Sequence, residues 1–261
     1  MKNVVRLLAL LAFTGLTALA LRAENAAVPS PVYELRTYST LPGRLPALLA
    51  RFRDHTCQLF TKHGMTNLAY WTPADAKDGA GDKLVYLLAH ASREAAAVSW
   101  KNFQADPEWK AARMASEADG KIVAKVESVF LAATNYSPAV VPTVKNPARS
   151  FELRTYTTPD QARLDALDAR FRGGETALFA AAGMTGIVYT HPLDADKGAG
   201  HTLIYLLAHA DRDAAKASWK KFRDDPAWVK MKADSEKAAS GSLTTKTESL
   251  FLVPVDFSPL K

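Results

Sequence analysis

The chain writes one unit twice, and that duplication constrains its fold more than any other feature. YELRTY at 33–38 returns as FELRTY at 151–156, ARFR at 50–53 returns at 169–172, and YLLAHA at 86–91 returns at 205–210. The pattern SW..F..DP.W at 99–109 recurs at 218–228, and ESxFL at 127–131 recurs at 248–252. The offset is 118 residues at the first motif, 119 through the middle and 121 at the last. Only loops differ in length, so both copies must build the same supersecondary unit.

Residues 1–23 stand outside the repeat and read as a signal peptide. Lys2 and Arg6 form a basic start, and Leu7–Leu21 is an apolar run broken only by Thr14 and Thr17. Small residues place the cleavage after Ala20 or after Ala23. A run of about 15 residues rises only about 22 Å as a helix, short of a hydrocarbon core of about 30 Å. The expected location is therefore periplasmic or secreted, with no stable membrane anchor after cleavage. A lipoprotein is excluded because the single cysteine, Cys57, lies far downstream. One thiol makes no internal disulfide, so the exported chain must hold together by its core.

Cleavage removes Lys2, Arg6 and Arg22, leaving 33 − 3 = 30 basic against 27 acidic residues, a net charge near +3. The charges are mixed along the helices rather than blocked, which argues against a nucleic-acid partner.

Within each copy the patterning is legible. In the first strand Tyr33, Leu35 and Thr37 alternate with Glu34, Arg36 and Tyr38. A helix over 43–63 follows, with Leu45, Leu48, Phe52, Leu59 and Phe60 at helical spacing. Gly64 and Gly183 stand where the helix must end with a positive φ. Strands 65–72 and 84–90 come next, then helices capped by Ser92 and Asp211, a further short helix opened by Asp106-Pro107 and Asp225-Pro226, and a last strand. The fold class is α+β, with two tandem ferredoxin-like βαββαβ units at 32–136 and 150–258. A Pro-containing linker, 137–149, joins them.

LVYLLAH and LIYLLAH are apolar on both faces. Helices cover one face of a ferredoxin-like sheet, and the other face needs a partner. The covalent twin supplies it, giving an intramolecular pseudo-dimeric α+β barrel.

The set YELRTY, a helix ending in GM before a strand, LVYLLAH, SWKNFQADPEW and ESVFL resembles the NIPSNAP domain, and both copies carry it. The resemblance implies membership of the dimeric α+β-barrel superfamily. Eukaryotic NIPSNAP relatives are associated with mitochondria, vesicle traffic and mitophagy, and no catalytic motif is established for the family. Broader barrel relatives include cofactor-free monooxygenases, haem-degrading enzymes and haem-dependent dismutases, and fold alone does not choose among them.

Strand alternation, with Tyr33/Leu35 and Phe151/Leu153 taking the helix side, sends Glu34, Arg36 and Tyr38, with Glu152, Arg154 and Tyr156, into the space between the sheets. Glu127 and Glu248 are then expected to pair with Arg36 and Arg154. The arrangement is either a polar pocket for an anionic or hydroxylated small molecule or a set of buried ion pairs. His90 and His209 end matched strands, as loop caps or as candidate ligands. His191 and His201 flank the second hairpin loop, but the first copy has Thr72 and Asp82 there, so no metal and no cofactor is expected. Trp100, Phe103 and Trp109, with Trp219, Phe222 and Trp228, read as core, and Cys57 as a packed thiol. The expected function is a non-enzymatic small-molecule-binding or protein-interaction module, with self-association as a further partner mode. The alternative is a cofactor-free oxygenase or isomerase working in the inter-sheet cavity.

Overall fold

The computed structural model describes residues 30–261, so the signal segment expected at 1–23 lies outside the described residues. The first copy contains β1 (Val32–Thr40), α1 (Leu45–Arg51), α2 (Cys57–Lys62), β2 (Thr66–Pro73), β3 (Lys83–His90), α3 (Arg93–Ala105), α4 (Pro107–Ser116) and β4 (Val123–Ala133). The second repeats this as β5 (Ser150–Thr157), α5 (Gln161–Arg170), α6 (Thr176–Ala182), β6 (Thr185–Pro192), β7 (Thr202–His209), α7 (Arg212–Asp224), α8 (Pro226–Ala238) and β8 (Lys246–Pro254). Each unit is β-α-β-β-α-β, as the repeat predicts.

The helix expected over 43–63 is two α segments joined by a π turn at Phe52–Thr56, matched by Phe171–Glu175 in the second copy. Gly64 and Gly183 take φ of 78° and 98°, the left-handed stop that a side chain resists. Ser92 and Asp211 accept from the backbone N–H three residues on, and Asp106 and Asp225 cap the proline-started α4 and α8.

Eight strands close in the order β1-β3-β2-β8-β5-β7-β6-β4. The two seams between halves are short: Trp71, Thr72 and Pro73 face Pro254, Val253 and Leu252, while Leu131, Ala132 and Ala133 face Pro192, His191 and Thr190. The hairpin loops reach across reciprocally, with Arg93 on Asp194 and Arg212 on Asp75. The segment over the linker is tied to the C-terminus, where Arg149 Nε donates to the Lys261 carbonyl and Lys145 N–H does the same.

β3 and β7 divide between two cores. Val85, Leu87 and Ala89, with Tyr33, Trp71, Leu131, Phe151 and Leu252, fill the barrel interior from both halves. Leu84, Tyr86 and Leu88 pack under the helices with Leu48, Phe52, Phe60 and Phe103. The second copy does likewise with Leu203, Tyr205 and Leu207. Both faces of these strands are dry, which is why their sequences do not alternate.

The interior corrects one expectation. It is apolar and filled, and the space left among Leu35, Leu87, Leu153 and Leu206 is about 20 Å³, roughly one water. Tyr33 and Leu35 point inward, so Glu34, Arg36 and Tyr38 point outward beneath the helices. The assignment of those three side chains and their counterparts to the lumen is inverted, and among the described residues the middle of the barrel holds no space for a ligand; only at one end does a cleft of about 500 Å³ open between the halves, lined by Thr37, Glu127, Leu153, Thr155 and Glu248. The physical reason is that closure buries the inner face from both sides, whereas the helix-facing surface keeps an open margin. At the level of Glu34 and Glu152 an ionised group finds water and donors only on the second, whereas Glu127 and Glu248 reach them at the barrel's open end.

Candidate functional site

Under the helices each half carries the same charged cluster. Glu34 is 1% exposed, yet its carboxylate meets four donors. Oε1 accepts from Arg36 Nη1 at 2.5 Å and Ser128 Oγ at 2.6 Å. Oε2 accepts from Trp100 Nε1 at 2.8 Å and faces His90 Nε2 at 2.9 Å. Glu152 repeats this with Arg154 at 2.6 Å, Ser249 at 2.6 Å, Trp219 at 2.6 Å and His209 at 3.0 Å. A carboxylate only accepts, so Nε2 of each histidine carries the hydrogen, and Nδ1 of each is left buried without a partner. His90 and His209 are therefore embedded beside the acids and cap no loop.

Burial pushes the Glu34 carboxyl up, but the His90 hydrogen bond, the Arg36 charge and the Ser128 and Trp100 donors outweigh it and hold it at about 2. Glu152 stands at about 2 by the same balance, with His209, Arg154, Ser249 and Trp219 opposing burial. Both acids are ionised counter-charges that orient an arginine, and neither is placed to move protons near neutral pH.

Glu127 and Glu248 do not join them. β1 and β4 register Arg36 against Ser128 and Thr37 against Glu127, so Glu127 emerges on the opposite face. Arg154 likewise faces Ser249, and Thr155 faces Glu248. Glu127 pairs instead with Lys125 and Glu248 with Lys246, all four more than half exposed. The pairing expected for them is one residue out of register, and serines take their place.

The arginines are the accessible members. Arg36 stacks on Trp100 with its guanidinium carbon 4.2 Å from the ring centre, and Arg154 on Trp219 at 4.3 Å. Arg154 Nε donates to Tyr205 at 2.9 Å and Nη2 to Tyr156 at 3.1 Å, completing a three-way anchor with Glu152. Of its five N–H groups, two remain. Arg154 and Tyr156 form the floor of a cleft of about 550 Å³ between β5, β8 and the helices, walled by Trp219, Trp228 and Phe251. Lys216, Arg223 and Lys232 line it as well. In the first copy Ala97, Gln104 and Arg113 stand at those positions.

Sequence reading missed Trp100 and Trp219 as hydrogen-bond donors. A tryptophan at the same place in both copies brings an N–H that burial obliges to find an acceptor, and the repeated ELR supplies one. Ser128 and Ser249 carried the same signal inside ESxFL. Burial pushes the Cys57 thiol up to about 11, which fits a packed and unreactive side chain. His191 donates from both ring nitrogens, Nδ1 to the Thr202 carbonyl and Nε2 to Asp168, each at 2.9 Å. It offers no lone pair to a metal. Among the described residues no group of three or more histidine, cysteine or acidic side chains is gathered as a metal site.

Two ferredoxin-like halves closed face to face, each with an acid–arginine–tryptophan cluster beneath its helices, define a dimeric α+β barrel made within one chain. The NIPSNAP family profile matches residues 33–138 and 151–259, and the chain belongs to that family. Among solved structures, an anthrone oxidase-like protein shares the fold at 13% identity, with a TM-score of 0.55 over 89% of this chain and 94% of that one. A protein assigned as a monooxygenase from Fusobacterium nucleatum does so at 9% identity and 0.55, over 87% and 93%. A NIPSNAP domain protein from Burkholderia xenovorans is 24% identical over 41% of this chain and 98% of its own, with a TM-score of 0.35. No curated protein sequence matches.

Proposed function

We propose that the chain is an exported, non-enzymatic binding protein for a small organic anion with a flat apolar body, held in the cleft of the second half. The observation that carries this is Arg154, a guanidinium fixed by three partners and stacked on Trp219, with two N–H groups left over on the floor of that cleft. An anchored fork of this kind loses little freedom on meeting a carboxylate. The aromatic walls suit a ring, and Lys216 and Arg223 add charge that Ala97 and Gln104 withhold from the first half.

The test is titration of 2-naphthoate into the mature chain by calorimetry. Saturable binding is expected, weakened at least tenfold in Lys216→Ala/Arg223→Ala. No saturation, or binding indifferent to that double change, overturns the reading. The bound compound should be recovered unchanged. Oxygen uptake during incubation would favour the oxygenase alternative, which the fold shared with an anthrone oxidase-like protein raises. Export is tested by intact mass after expression in a secreting host: the mature chain should begin at Leu21 or Glu24, and an uncleaved cytosolic precursor removes export from the proposal.

A further inference from the structure

The two halves treat one matched arginine differently. Arg51 and Arg170 occupy equivalent positions, buried at 4% and 8% exposure, at the end of α1 and α5 where the π turn begins. Arg51 is paired within its own half, although its Nη2 takes no partner among the described residues. Its Nη1 donates to Ser116 Oγ and Glu117 Oε1, both at 3.2 Å, and its Nε is left without a partner.

In Arg170 the pattern is reversed. Nε donates to the buried Glu175 at 2.8 Å, and neither Nη1 nor Nη2 hydrogen-bonds to another group among the described residues. Neither Nη is sealed from solvent, since neither is among the buried polar atoms without partners. Both belong to a side chain that lines a groove of about 910 Å³ between α5 and α8.

Three sequence differences open this groove. The second copy carries two extra residues before its last strand, and α8 runs on to Ala238 where α4 stops at Ser116. Glu236, the counterpart of Glu117, therefore stays on the helix and pairs with no cation among the described residues. Gly173 and Gly174 replace Asp54 and His55, removing two side chains from the groove's end. Gly174 takes a φ of 143°, a conformation a side chain resists, and a Cβ there would displace the Met231 methyl 2.8 Å away. Finally Glu175 replaces Thr56 and holds the guanidinium from behind. What remains is a trough walled by Ala162, Ala166, Ala169, Ala227 and Met231, with a fixed arginine facing it.

We infer that this groove binds an aliphatic carboxylic acid, its carboxylate on Arg170 Nη1 and Nη2 in the place that Glu117 fills in the first half, and its chain along the alanine wall. The first half shows which chemistry the arginine accepts there: a carboxylate at the end of a methylene chain. The groove's size lies within the range of about 300–1,000 Å³ found for small-molecule sites, and its lining is mostly apolar; Arg163, Ser235 and the mutually paired Lys230 and Asp234 line it as well, so Asp234 is already countered by a cation. This site is separate from the cleft over Arg154, and Trp228, on which Arg170 stacks at 5.0 Å, belongs to that cleft's wall.

The experiment uses sodium dodecanoate below its micelle-forming concentration, titrated into the full mature chain with tryptophan fluorescence as readout. Saturable binding is expected, with dodecanol at least tenfold weaker because it brings no charge for Arg170. Ala166→Phe, which fills the trough and leaves the Arg170–Glu175 pair in place, should cut affinity at least tenfold, as should Arg170→Met. Lys216→Ala/Arg223→Ala should weaken 2-naphthoate and leave dodecanoate unaffected, separating this site from the cleft. Equal binding of dodecanol, or dodecanoate binding that survives Ala166→Phe in a folded chain, overturns the inference.

Discussion

Replacing Glu34 by glutamine tests the buried cluster most directly. The carboxylate accepts from Arg36, Ser128, Trp100 and His90 across two oxygens. A carboxamide has one oxygen and one NH2, so two of those four donors would face another donor. Arg36, with 15% of its side chain exposed, would also lose its counter-charge while still mostly covered. Breaking one partner of a buried pair typically costs about 3–5 kcal/mol. The depressed carboxyl gives an independent figure: from 4.5 to about 2 corresponds to about 3 kcal/mol. Glu34→Gln should therefore lose about 3 kcal/mol in urea unfolding, with an unchanged slope. Arg36→Met should lose a similar amount, and the double variant should recover part of the sum. A loss under about 1 kcal/mol with simple additivity would show that the cluster is solvated and the orientation derived for β1 is wrong.

Glu34 and Glu152 both have folded values below the unfolded one, so their stabilisation is present above about pH 4.5 and is lost as pH falls toward 2. Acid unfolding should take up about two protons per chain in that window, and Glu34→Gln/Glu152→Gln should flatten it. His191 is shifted the other way: burial lowers it, but the bonds to Asp168 and the Thr202 carbonyl outweigh burial and raise it above 6.5. Its contribution is full below the unfolded value and fades as pH rises through the folded one, so an NMR titration should show a midpoint above 6.5 that falls in Asp168→Asn. Cys57, at about 11, should react with a disulfide reagent at pH 7 far more slowly in the folded chain than in urea. A chain cut at residue 140 should dimerise or aggregate in light scattering, because Tyr33, Trp71, Leu87 and Leu131 lose the Phe151, Leu206 and Leu252 that cover them.

The repeat made the fold readable, since a motif written twice fixes element order and leaves few ways to bury LVYLLAH. The candidate site was legible only in composition. ELRTY announces an acid, an arginine and a tyrosine on one face, but alternation alone gives two faces without labelling them. Labelling needed Trp71, Leu131 and Leu252, which meet only when the barrel closes. The Glu127 expectation failed at the same level of detail. A shift of one residue between β1 and β4 exchanges Glu127 for Ser128, and nothing local fixes that register. The groove over Arg170 was hidden for another reason: ARFR is identical in both copies, and what distinguishes them lies in the three residues after it, GGE in place of DHT, and 65 residues on, in where a helix stops.

Joining two halves in one chain removes a constraint that a two-chain barrel would keep. In a symmetric dimer every substitution appears twice, so a site opened in one half opens in both. Here the acid, arginine, tryptophan and serine of the buried cluster stayed matched because each half needs them to seal its own helix layer. Around that cluster the halves have drifted in one direction. The first pairs the Nη1 of its arginine with Glu117 and has Ala97 and Gln104 at the cleft positions, while the second holds Arg170 by Nε alone and gathers Lys216 and Arg223. Neutralising the second half's cations should therefore abolish anion binding, while the matched changes in the first should alter stability alone. That division of labour follows from the covalent linkage, and it makes the first half the internal control for every experiment on the second.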